Sequence, residues 1–173
     1  MFMKLKSIAL LLLMLVTVGF SQADWPKVKS TEENFSISMP DIPRQHQTRA
    51  SGPLGKDHHI YKVEHNGITY TVSNSVFEKG PTSAEDIKRT LDYARDLLLT
   101  LSSGKLLNDE EISIDGFPGR QIRVEKGKKV WTLRAYVVKN RMYQLMTTEQ
   151  KGKEQAPEVE KFFFSFEFLF VPQ

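Results

Sequence analysis

The sequence predicts an α+β fold: a mainly antiparallel β-sheet with helices packed on its faces. Three observations predict it. Ile112/Ile114 and Ile122/Val124 alternate on either side of Asp115-Gly-Phe-Pro-Gly119, a cluster of turn formers, and predict a hairpin with a loop longer than two residues. Val130–Val138 and Arg141–Thr148 follow at once, joined by a turn at Lys139-Asn140. The chain then reads strands, a helix, strands and a C-terminal helix, without the long crossovers of parallel βαβ units, so neighbouring strands are expected to run antiparallel.

In chain order, the first element is a targeting segment. Lys4 and Lys6 precede an uncharged, mostly apolar run from Ile8 to Phe20, and Ser21-Gln22-Ala23 places small residues before a cleavage site. That is the pattern of a secretory signal peptide over residues 1–23. The run of 13 residues is short for a transmembrane span, which needs about 20. No cysteine follows it, so lipoprotein-type attachment has no acceptor. Export with cleavage after Ala23 is the expectation, with a periplasmic or extracellular destination and no transmembrane span after cleavage.

Asp24 to Asn34 is polar around Trp25-Pro26 and reads as a lead-in pinned by one tryptophan. Phe35–Met39 alternates and stops at Pro40, a short strand ended by proline. Gln45–Ala50 is either an edge strand or a loop, and Ser51–Gly55 is loop. Asn66-Gly67 is the strongest short hairpin signal, because both central residues of a type I′ turn need positive φ. That turn pairs His65 with Ile68, Val63 with Tyr70, Tyr61 with Val72 and His59 with Asn74 on one mostly apolar face. The opposite, mostly polar face carries Glu64/Thr69, Lys62/Thr71, Ile60/Ser73 and His58/Ser75.

The one long helix is predicted to start at Thr82, with Glu85 three residues on completing a capping box. Ile87, Leu91, Ala94, Leu98 and Leu101 form its apolar stripe, laid on the sheet, and Gly104 supplies the stop. Glu85, Lys88, Arg89, Asp92, Arg95 and Asp96 form the other side, expected in water. Pro157 suits the first turn of a short second helix to about Phe164. The tail from Phe162 to Phe170 carries six phenylalanines and is expected to close the far side of the sheet as core.

Cleavage leaves 150 of the 173 residues, the length of one domain spanning 24–173. Lys+Arg falls from 24 to 22 against 21 acids, so the basic balance of the precursor nearly vanishes and no field for nucleic acid remains. The absence of cysteine excludes disulfides and thiolate chemistry, and leaves stability to burial.

The arrangement resembles the PsbP-like family, whose founding member is an extrinsic subunit of the oxygen-evolving photosystem. The resemblance rests on Phe35-Ser-Ile-Ser-Met-Pro40, the helix over Leu91-Asp-Tyr-Ala-Arg-Asp96, Asp115-Gly-Phe-Pro-Gly-Arg120, Asn140-Arg-Met-Tyr-Gln-Leu145 and Phe162-Phe-Phe-Ser-Phe166, in that order. It implies an α/β/α sandwich around a central antiparallel sheet, and relatives that are mostly non-catalytic accessory or binding modules, including a eukaryotic branch that binds a small GTPase. None of the matched motifs is a ligand or catalytic motif, so no functional residue is carried over.

The chain's own chemistry points the same way. His59 and His65 share a face but sit six residues apart, about 20 Å at ~3.3 Å per residue, too far for one ion. His46 and His58 converge only if Gln45–Ala50 pairs beside the second strand. Gly-x-Ser-x-Gly, His-Glu-x-x-His, Walker, Gly-x-Gly-x-x-Gly and EF-hand patterns are all missing. Asp109-Glu110-Glu111 reads as a solvated edge that discourages strand pairing. Lys126, Lys128 and Lys129 cluster at one turn, and Lys139 and Arg141 at another. Were these turns to meet each other or Lys151 and Lys153, an acidic partner or anionic lipid could dock there, although ordinary solvated turns account for them.

No catalytic, cofactor-binding or metal residue is therefore assigned, no cofactor is expected, and the chain is read as a non-enzyme. The expected function is an exported, monomeric accessory domain that binds a protein partner, and not nucleic acid, through a sheet edge or loop surface. The alternatives are a small-molecule or metal-binding domain, or weak enzyme, with a pocket between sheet and helix lined by Tyr61, Tyr70 or the histidines, and an envelope protein exposing its Phe tail.

Overall fold

The structure, a computed structural model, describes residues 24–48, 53, 55–153 and 156–169. The signal segment 1–23, most of the loop expected at Ser51–Gly55 and the end of the aromatic tail at Phe170 lie outside the described residues. The elements are β1 (Lys27–Ser30), β2 (Phe35–Ser38), β3 (Arg44–Thr48), β4 (Lys56–His65), β5 (Ile68–Val76), α1 (Ala84–Ser102), β6 (Lys105–Ile114), β7 (Phe117–Lys126), β8 (Lys129–Val138), β9 (Arg141–Gln150), α2 (Pro157–Phe164) and β10 (Glu167–Phe168). Seven strands form one antiparallel sheet in the order β3-β4-β5-β9-β8-β7-β6, and β1-β2-β10 form a small second sheet.

Turn chemistry sets the register of the large sheet. Asn66 (φ 50°) and Gly67 (φ 76°) take the left-handed conformations of the expected hairpin, and the pairs His65↔Ile68, Val63↔Tyr70, Tyr61↔Val72 and His59↔Asn74 all form. A register shift between Lys56 and His59, where Asp57 has φ 51°, removes the expected His58/Ser75 pair. The β6–β7 hairpin corrects another expectation: its loop is the two residues Asp115 (φ 50°) and Gly116 (φ 80°), not five. Phe117-Pro118-Gly119 belongs to β7. Ile114↔Phe117 closes the turn, so Ser113↔Pro118 falls at a non-hydrogen-bonded position, where a missing N–H costs the β6–β7 ladder nothing. Residues 45–48 resolve as part of the edge strand β3.

The two faces are covered differently. On one, Tyr61, Val63, Ile68, Tyr70, Val72, Tyr136, Tyr143 and Leu145 pack against Phe35 and Ile37 of β2, Val159, Phe162 and Phe163 of α2, and Phe166. Trp25 joins this core edge-to-face with Tyr70 at 5.5 Å, so the lead-in is pinned as its tryptophan suggests. The same segment also forms β1, which its polar sequence hides. Phe162, Phe163 and Phe166 are buried, whereas Phe164 stands 73% exposed. Phe168 is half-buried against the same core, so among the described phenylalanines of the tail Phe164 alone stands outside.

On the other face, Leu91, Ala94 and Leu98 of α1 pack on Ile122, Val124, Leu133, Ala135, Val137 and Met142. With α1 on one face and α2 on the other, the architecture is an α/β/α sandwich. Three details of α1 differ from expectation. Its N-cap is Ser83, whose Oγ accepts from the Asp86 N–H at 3.1 Å, while the Asp86 carboxylate accepts from both the N–H and the hydroxyl of Thr82. The box is displaced by one residue because Ser83, not Thr82, has the extended backbone an N-cap needs. The stop is Ser103 in the left-handed conformation (φ 49°), and Gly104 instead lets the chain pass hard against Val124, where a Cβ would overlap. Leu101 is 76% exposed, so the buried stripe ends at Leu98.

The charged side of α1 is also not wholly in water. Asp92 accepts from Arg120 of β7, and Arg95 reaches Asp92 and Asp109, each at 3.2 Å. Arg120 is buried and also faces Asp109 at 3.4 Å. These ions tie α1 to β6 and β7. Desolvation opposes the charge on Asp92, but its partners Lys88 and Arg120 prevail and hold its carboxyl below the ordinary range.

Candidate functional site

A cavity of about 260 Å³ opens between α1 and the sheet, where the helix overhangs β5 and β9. Leu97, Leu98 and Leu101 of α1 form one wall, and Trp131 and Met146 face them from the sheet. Thr71, Ser73 and Gln144 supply its polar side: Ser73 Oγ donates to Gln144 Oε1 at 3.3 Å, and Gln144 Nε2 donates to Met142 Sδ at 3.6 Å. A pocket between sheet and helix exists, but Tyr61 and Tyr70 do not line it. Both lie in the opposite core, because the more apolar face of the β4–β5 hairpin turns to β2 and α2 and leaves α1 the other.

Three larger depressions, of about 390, 400 and 440 Å³, lie at the rims and are lined by charged and turn residues, including Asp86 and Arg89, Glu64 and Lys129, and Arg44 and Lys62 respectively. The first lies between the start of α1 and the loop before it, and the other two are walled by turns and strands.

The histidines are distributed as follows. β3 pairs with β4, the condition for His46 to approach His58, and places His46 opposite Ile60, two positions from His58. His58 Nε2 lies 3.2 Å from the Gly55 carbonyl. Among the described residues no group of three or more His, Cys, Asp or Glu could hold a metal ion. His65 flanks the Asn66-Gly67 turn and is exposed.

His59 makes the contact that sequence reasoning missed. Its Nδ1 meets the carboxylate of Glu33, a residue only 2% exposed, whose other oxygen accepts from Tyr61 Oη at 2.9 Å. The Tyr143 hydroxyl donates to the Glu33 carbonyl at 2.8 Å. Burial, then the hydrogen bond to Glu33, pushes the Tyr61 hydroxyl up to about 12. The cluster fastens the β1–β2 turn to the large sheet. No local signal marks Glu33 in Ser30-Thr-Glu-Glu-Asn34; only the hairpin register that faces His59 and Tyr61 to one side hinted at a partner.

Of the sheet's two edges, β6 is the longer, ten residues with its outer side unpaired among the described strands. Leu106 and Leu107 lie on it about two-fifths exposed, and Glu110 and Glu111 are exposed as expected of a solvated edge. Asp109 departs from that expectation by pairing with Arg95. The lysine turns do not all meet. Lys128 and Lys151 join through a 2.9 Å backbone hydrogen bond. Lys139 and Arg141 sit at the other end of β8, about 30 Å away at ~3.3 Å per residue. Lys151 pairs with Glu125 at 2.7 Å, so the near cluster already holds an acid.

The fold is PsbP-like. The chain superposes on the solution structure of cyanobacterial PsbP (CyanoP) from Synechocystis sp. PCC 6803 with a TM-score of 0.61 and 11% identity, over 87% of this chain and 95% of that one. A protein from Bacteroides thetaiotaomicron matches with a TM-score of 0.43 and 15% identity, over 84% of this chain and 48% of that one. By sequence, no family model and no curated protein matches. Among the described residues no helix is long and apolar enough to cross a membrane.

Proposed function

We propose that residues 24–173 form one exported, monomeric domain that acts without catalysis, as an accessory module docking an envelope or extracellular protein on an open sheet edge. The observation that supports this best is β6, with its outer row of backbone groups unpaired among the described residues and Leu106 and Leu107 partly exposed beside it. An extended partner segment adds hydrogen bonds to that row and covers the two leucines, the recognition mode of strand addition. Glu110 and Glu111 discourage a second copy from pairing there and favour a basic partner strand. The PsbP-like fold adds support, since the family resemblance implies accessory modules more than enzymes.

A photo-reactive residue at Leu107, compared with one at exposed Lys88 on α1, tests the reading in the source cells. A discrete adduct from position 107 and none from position 88 is expected. Adducts from neither position, together with turnover of a substrate by the purified protein, would end it.

A further inference from the structure

The cavity beneath the C-terminal half of α1 has a composition that specifies a ligand. Its volume of about 260 Å³ equals roughly nine waters at ~30 Å³ each, below the roughly 300–1,000 Å³ of drug-sized sites. That is room for one ring or a short acyl chain with a single small head group. The walls are leucine, methionine and the Trp131 ring, and Leu101 is left 76% exposed at the mouth, apolar surface that an occupant would cover. Among the described residues none lining the cavity is charged. A charge taken inside would lose its water without gaining a counterion, which disfavours carboxylates, phosphates and amines there.

The polar side is equally specific. The Gln144 carbonyl is already taken by Ser73, and among the described residues the Gln144 amide donates only to the sulfur of Met142, at 3.6 Å. Thioether sulfur is a weak acceptor, so this N–H is the donor that a better acceptor can claim. We infer that this cavity binds a small neutral molecule with an apolar body and one carbonyl group, its oxygen taken by Gln144 Nε2 and its body held between Trp131, Met146 and the α1 leucines. The site lies on the α1 face of the sheet and does not depend on partner docking at the β6 edge. A leucine or phenylalanine of a protein partner is the competing occupant; the weakly satisfied Gln144 amide favours a carbonyl compound over a hydrocarbon side chain.

The test uses the protein labelled with [13C-methyl]methionine and three probes: acetophenone, toluene, which lacks the carbonyl, and benzoate, which carries a charge. Acetophenone is expected to shift the Met146 methyl resonance saturably while leaving that of Met39, buried in the opposite core, unmoved. Benzoate and toluene should each bind at least about tenfold more weakly. Gln144→Leu should erase the preference for acetophenone over toluene, and Leu101→Asp, at a site exposed enough to spare the fold, should weaken all three. Absence of a saturable shift with acetophenone overturns the site. Equal binding of benzoate overturns the neutral class, and equal binding of toluene to the unmodified protein overturns the carbonyl and returns the cavity to a partner's side chain.

Discussion

Glu33 is the buried group whose removal should be felt most. Its side chain is 3% exposed and satisfies two donors at once, the His59 ring at Nδ1 and the Tyr61 hydroxyl at 2.9 Å. Glu33→Ala strands both. A buried donor left without an acceptor costs about 1–3 kcal/mol, and here both the Tyr61 hydroxyl and the His59 ring lose theirs. The two penalties overlap at one carboxylate, so a loss of about 3–4 kcal/mol is expected, out of the ~5–15 kcal/mol that holds a domain together. With a urea m-value near 2 kcal/mol/M, the unfolding midpoint should fall by about 1.5–2 M at pH 7. Glu33→Gln keeps an acceptor for Tyr61 and should cost about half as much. The double variant Glu33→Leu, His59→Leu should be less damaging than Glu33→Ala alone, because it strands one donor, the Tyr61 hydroxyl, where Glu33→Ala strands two. A midpoint for Glu33→Ala within about 0.3 M of the unmodified protein would refute the reasoning and make the β1–β2 turn an ornament on the sheet.

Three further outcomes follow from other parts of the fold. A Cβ at Gly119 would stand 2.5 Å from Tyr136 Cδ1 and 2.6 Å from the Ala135 carbonyl oxygen, so Gly119→Ala should destabilise by about 1–3 kcal/mol in the same urea assay. Phe162→Ala should cost about 3–5 kcal/mol and Phe164→Ala less than about 0.5, since the first is fully buried and the second 73% exposed, and equal midpoints would reverse the assignment of the tail. Asp86, bonded first by Ser83 and then by Arg89 and Thr82, has its carboxyl lowered from 3.8 to about 2. A depressed folded pKa stabilises the charged native form, so the support it lends the start of α1 is complete above 3.8 and disappears as pH falls through about 2. A carboxyl-carbon NMR titration of Asp86 reads this directly, and a midpoint near 3.8 contradicts it.

Where the backbone chemistry is local, the sequence is a sufficient guide. Asn66-Gly67 and Lys139-Asn140 each predict a turn and the register beyond it, and Pro157 predicts the start of α2. The failures have non-local causes. Asp115-Gly116 is as good a two-residue turn as Asn66-Gly67, but Pro118 and Gly119 imitate a longer loop, and only the hydrogen-bond phase of the strand explains why proline is tolerated there. β1 has a single apolar residue, Val28, and β10 has two residues, so neither carries a readable period; both exist because β2 offers edges for them. A sheet–helix pocket was legible, but its lining was not. The hairpin's alternation separates two faces without saying which layer covers which, and α1 took the face opposite Tyr61 and Tyr70. Glu33 and the Arg120–Asp92 pair were invisible for the same reason, since each joins residues 26 or more apart in the chain (Glu33 to His59, and 28 for Asp92 to Arg120).

Docking of an envelope or extracellular partner requires the chain to leave the cytoplasm, and the intact mass and cell fraction of the natively produced protein test that directly. The account predicts a chain beginning at Asp24 in the periplasmic or extracellular fraction. A chain that keeps residues 1–23 and stays in the cytoplasm would contradict it.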